Sequence, residues 1–196
     1  MKSLSKTMLA VLATGVLSCA VFSQQAQATA IQGNINLAGA VQFNTHSLLT
    51  AASVNTWFDA HGNAGFSSVT SGGTGDFAGI AAGTQATTAH SWMFNPSTAT
   101  PGLWSVGGFT FDLLSSTIMA QTTTLLAISG TGIVSGNGLE PTSMEWMFTT
   151  QNAGGRNLTR FSFSANGVAV PDGGTTVMLL GAALGALGMA RRFLMN

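Results

Sequence analysis

The sequence predicts an all-β protein: a single antiparallel β-sandwich of jelly-roll type, flanked by an N-terminal signal helix and a C-terminal transmembrane helix. Three observations predict it. Between residues 31 and 170, apolar side chains recur at alternate positions and show no helical period longer than a turn or two. Turn signals at Gly62-Asn63, Gly72-Gly73, Asn95-Pro96, Gly136-Asn137-Gly138 and 152–155 cut this region into short segments. The two ends differ from it, each carrying an unbroken apolar run with basic residues beside it.

Taken in order, Ile31, Ile35, Leu37, Val41 and Phe43 hold odd positions, which is one face of a strand. Residues 46–58 break the alternation and suit a short helix or turn. Phe109, Phe111 and Leu113 share a face, and two short apolar runs follow at 122–129 and 130–136. Met144, Trp146 and Phe148 align, whereas Leu158 falls into phase with Phe161 and Phe163 only through a bulge at Thr159-Arg160. Many short strands separated by small-residue turns suit an antiparallel sandwich or barrel, and a single sandwich of roughly 8 to 11 strands is the expectation. The expected organisation is a signal peptide at 1–30, the body at 31–170, and a sorting tail at 171–196 with its motif at the junction.

Composition narrows the function classes. Charged residues make up 6% of the chain, against about 25% in an ordinary soluble domain. The body holds Arg156 and Arg160 against Asp59, Asp76, Asp112, Glu140 and Glu145, a net charge of −3. Two arginines cannot neutralise a phosphate backbone, so nucleic acid is not an expected partner. The one cysteine, Cys19, lies in the N-terminal apolar run, so no disulfide is expected within the body.

Lys2 and Lys6, the apolar run over 8–22 and the small-residue pattern Ala28-Thr29-Ala30 are the three parts of a secretory signal peptide. Cleavage is expected after Ala30, with Ala28 as the alternative, by the Sec and signal peptidase machinery. At the other end, Val170-Pro171-Asp172-Gly173-Gly174 precedes an uncharged run over 175–190 and then Arg191-Arg192. As a helix that run spans about 24 Å, short of a full hydrocarbon core, so it needs thinning or snorkelling to cross. The arginines hold its end on the cytoplasmic side.

A Pro-acidic-small motif, an apolar helix and a terminal arginine pair, in that order, resemble the PEP-CTERM/VPDSG-CTERM class of sorting signals. Gly173 stands where that variant's name has serine. The resemblance implies that an exosortase, a membrane protease-transpeptidase, reads the motif, removes the helix, and releases or re-anchors the protein. It implies transient inner-membrane insertion, then the cell surface or extracellular matrix of a Gram-negative bacterium, with exopolysaccharide as a partner. Most of residues 33–165 is also similar to uncharacterised exosortase-sorted proteins, which bears on location and fold alone.

Candidate chemistry in the body is sparse. Asp59 and His61 are two apart, so on a strand a carboxylate and an imidazole share a side; beside Gly62-Asn63 they read first as a solvated loop. His46, His61 and His90 match no short metal-ligand spacing. Asp76 in a glycine-rich stretch is a single carboxylate, a poor calcium site. Glu140 and Glu145 flank Pro141 and raise paired-carboxylate glycoside hydrolysis. Trp57, Trp92, Trp104 and Trp146 raise sugar stacking, although Trp146 alternates with core residues. The sequence therefore predicts a non-enzymatic surface or matrix protein without cofactor or metal. The alternatives are a carbohydrate-binding module and an extracellular hydrolase.

Overall fold

Period-two alternation carries through to ten strands among the described residues: β1 Gly33–Phe43, β2 Ser53–Phe58, β3 Phe66–Val69, β4 Gln85–Thr88, β5 Trp92–Met93, β6 Thr100–Val106, β7 Phe109–Gln121, β8 Leu125–Gly136, β9 Leu139–Gln151 and β10 Thr159–Gly167. The structure is a computed structural model that describes residues 29–89, 91–151 and 158–167, together with Gly181, Ala183 and Leu184. The expected signal helix lies outside the described residues. Of the expected C-terminal helix only those last three positions are described, each helical. Among the described residues no helix is long and apolar enough to cross a membrane.

The all-β expectation holds, but the two-sheet sandwich does not. All ten strands belong to one antiparallel sheet in the order β10-β9-β8-β7-β6-β4-β3-β1-β2-β5, and β10 also pairs with β1. That last pairing runs from Gly33↔Gly167 to Val41↔Thr159 and closes eight strands into a barrel. On its other edge β1 takes β3 at Leu37 and Ala38, then β2 from Ala40 onward. The strands β2 and β5 are therefore a two-stranded extension of the barrel wall. Alternation shows that each strand has an apolar face; it does not show whether the first and last strands pair. Eight strands enclose a space that side chains can fill, and closure leaves fewer open edges than a sandwich.

Aromatic rings stack through the middle of the core, among Ile, Leu and Val side chains. Trp104 lies flat on Phe111 at 5.2 Å and Trp146 on Phe163 at 5.6 Å. Trp92 meets Phe148 and Trp146 edge to face. Room for two of these rings comes from β8. A side chain at Gly130 would meet Trp146 Cζ2 at 2.8 Å, and one at Gly132 would meet Phe111 Cζ at 2.2 Å. The four indole N–H groups have no hydrogen-bond partner.

Several expected faces are seen. Ile31, Ile35, Leu37, Val41, Phe43, Phe109, Phe111, Leu113, Met144, Trp146 and Phe148 are all buried. The two runs at 122–129 and 130–136 merge into the single strand β8, because glycine inside a strand need not end it. The segment 46–58 holds a single-turn 3-10 helix, Leu48–Thr50, and then β2. The bulge expected at Thr159-Arg160 is absent from the β10 pairings: Thr159, Phe161, Phe163 and Ala165 face inward in simple alternation, and exposed Leu158 precedes the strand. A register shift does occur in β6 between Thr100 and Trp104. It lets consecutive Leu103 and Trp104 both turn inward, with Gly102 at φ +59° and its N–H held by Asp112 Oδ1 at 2.6 Å.

Candidate functional site

The chain leaves β2 at Phe58 and turns through Asp59, Ala60 and His61. An aspartate at such a corner can bind its own backbone two residues on, and Asp59 does so. Its Oδ1 accepts the N–H groups of His61 and Asn63, both at 2.8 Å. Its Oδ2 accepts the side-chain amides of Asn63 at 2.8 Å and Gln85 at 2.6 Å. The carboxylate is buried, which pushes its pKa up. The hydrogen bonds from the Asn63 and Gln85 side chains and the two backbone N–H groups outweigh that and hold it well below the usual carboxylate range.

Four donors fill the acceptor capacity of a carboxylate. Asp59 thus ties the end of β2 to β4 through Gln85, and it is not a solvated loop residue. His61 remains at the surface, its side chain 80% exposed and its Nδ1 4.0 Å from Asp59 Oδ2. The two side chains stand near each other in a turn, not on one face of a strand. The carboxylate, however, is committed to donors other than the imidazole.

Beside this corner lies a groove of about 640 Å³. Its lining includes Ala38, Gly39 and Ala40 of β1, whose small side chains leave the space. Phe58 and His61 also line it, as do Leu158 and Arg160 at the start of β10. Glycine is required at 39, because a Cβ there would sit 2.1 Å from the Phe58 carbonyl oxygen where β2 crosses close to β1. Arg160 is exposed and makes no ion pair among the described residues. Since Asp59 is saturated, the charged or basic groups this groove can offer a ligand are the cationic Arg160 and the His61 imidazole, beside the hydroxyls of Ser68 and Thr70. In the sequence Arg160 enters only as a body charge and at the expected bulge; β1–β10 closure brings it to the same groove as His61, with Ala40 pairing Arg160 on one side and Phe58 on the other. A second groove of about 480 Å³ crosses the outer face of β7 to β10, lined by hydroxyls such as Ser115, Thr131 and Ser164, with Glu145.

The other candidates do not assemble. Glu140 and Glu145 are both exposed on β9. Five residues of strand separate them by about 17 Å, beyond the spacing of a glycosidase pair. Asp76 Oδ2 accepts the Gln32 N–H at 2.7 Å and so latches the start of β1. His46 lies in the bend after β1, and His90 lies outside the described residues. Among the described residues no three His, Cys, Asp or Glu side chains gather as metal ligands. All four tryptophans are buried, between 1% and 3% exposed, so none presents a face for a sugar to stack on. Trp104 and Trp146 stand on barrel strands, and Trp57 and Trp92, on the two-stranded extension, pack against rings of β9 and β10; local alternation reports neither.

The sorting residues Val170, Pro171, Asp172, Gly173, Gly174, Arg191 and Arg192 lie outside the described residues, as does Ala28. Ala30 is described and forms a parallel bridge with Glu140. Residues 169–193 match the VPDSG-CTERM motif, the signal of exosortase-sorted surface proteins. The tail therefore marks an exported protein processed by exosortase. No curated protein and no solved structure matches the chain.

Proposed function

We propose that the chain is a non-enzymatic protein of the cell surface or extracellular matrix, delivered by exosortase into the envelope or exopolysaccharide layer. The VPDSG-CTERM match over 169–193 carries this reading. In its support, the body's adjacent acid–base pair has its carboxylate spent on holding a turn, and its two glutamates stand too far apart for paired chemistry. The signal peptide, the transient membrane stop and the Gram-negative setting belong to the same proposal. Deleting the host's exosortase tests it. The chain is expected to move from the surface or medium into the inner-membrane fraction with residues 175–196 still attached. Unchanged release would contradict the reading.

A second reading, a carbohydrate-binding module, is favoured by the groove beside Arg160 and His61 rather than by the tryptophans. Two basic groups, no unsaturated carboxylate and the apolar side chains of Phe58 and Leu158 suit a sugar polymer that bears carboxylates. Arg160→Gln is expected to weaken retention on polygalacturonate about 10-fold, the usual size of a charge-assisted contact, with neutral dextran unaffected. Equal retention of variant and parent would remove this reading.

A further inference from the structure

We infer that the mature chain begins at Thr29: export processing cuts between Ala28 and Thr29, not between Ala30 and Ile31. Both bonds follow a small-x-small pattern, Ala26-Gln27-Ala28 for the first and Ala28-Thr29-Ala30 for the second. The motif cannot separate them, and the barrel can.

Thr29 and Ala30 are part of the folded wall. The Thr29 carbonyl accepts the Glu140 N–H at 3.1 Å, and Ala30 bridges Glu140 as a parallel partner. Ile31 follows with no exposed surface. Its backbone N–H donates to Thr142 Oγ1 at 2.8 Å in a buried contact. That hydroxyl spends its own proton on the Glu140 carbonyl at 2.8 Å. Thus one amide proton meets one acceptor, and the account is complete.

Cleavage after Ala30 would change this amide into an α-ammonium group carrying three protons and a charge. Thr142 Oγ1 would satisfy one proton of the three, in a contact that is buried. A buried charge with unfilled donors is strongly unfavourable. The same cut would also remove the Thr29–Glu140 hydrogen bond, and with it the bridge at Ala30. Cleavage after Ala28 avoids both losses, because the new charge falls two residues outside the buried contact. Thr29 and Ala30 then act as the first residues of the barrel and not as the last of the signal.

The test is intact-mass analysis and N-terminal sequencing of the protein exported by its host. Thr29 is the expected first residue, and Ile31 would overturn the inference. A second arm uses Ala26→Leu, which spoils the upstream pattern and leaves the downstream one intact. Two results support the inference: accumulation of uncut precursor, or a product starting at Ile31 whose Tm falls by more than about 5 °C. An Ile31 product with the parent's Tm would overturn it. Sorting at the other end is read separately, so failure here leaves the exosortase assignment standing.

Discussion

Inside the barrel, Trp92 touches Phe94, Trp146 and Phe148 at centroid separations of 5.3, 5.5 and 5.4 Å. On the outer face of β7 to β10 the groove is lined mostly by polar side chains such as Ser115, Thr131, Ser164 and Asn166, with Glu145 alone charged, Met147 half exposed and Trp146 all but buried. The aromatic groups, which carry most of the chain's capacity for stacking, are spent on the interior. Recognition is left to hydroxyls, amides and a few charges. Stability and binding should therefore be separable by mutation: interior changes unfold the protein, and exterior changes alter what it holds.

The largest expected effect is at the centre of the aromatic cluster. Trp92→Ala removes a ring that is 1% exposed and is expected to cost about 3–5 kcal/mol of unfolding free energy. Denaturant titration measures it. Polysaccharide retention at temperatures below the new midpoint should stay at the parent's value. If retention fell while the variant was still folded, the division between inside and outside would be broken.

Asp59 tests the boundary between the two regions. Its folded pKa lies below the unfolded value of about 3.9. Its contribution to stability is therefore complete above that value and is lost as pH falls from about 4 through the folded pKa. Asp59→Asn turns an amide donor toward the donors of Asn63 and Gln85. It should lower Tm at pH 7 and flatten the fall in Tm on acidification below pH 4. A variant with the parent's Tm at pH 7 would show that the four hydrogen bonds do not anchor the corner. Smallest in its effect on stability is Arg160→Gln: an exposed side chain at the groove whose loss should leave Tm unmoved while binding weakens.

The interior was largely readable from the chain, because alternation at Ile35 and Leu37, Phe109 and Phe111, or Trp146 and Phe148 names an inward face without any knowledge of partners. Closure was not. It depends on β1 meeting β10, where Leu37 pairs with Phe163 across most of the chain, and no local pattern encodes such a distance. The same limit hid the site. Asp59 looks like a turn residue beside Gly62-Asn63, and only Gln85, brought in by β4, shows it to be buried and saturated. Trp104 faces inward beside Leu103 for a reason no alternation pattern shows, the register shift in β6. The tail is the opposite case: its motif, apolar run and arginines are contiguous, so residues 169–193 could be read without a fold.

The claim that most needs testing is that exosortase processes this tail. Mass spectrometry of the mature C-terminus, in cells with and without the enzyme, tests it most directly. With exosortase present, the chain should end upstream of the apolar run and lack Arg191 and Arg192; without it, the tail should persist. A chain still ending at Asn196 in cells that contain exosortase would contradict the account.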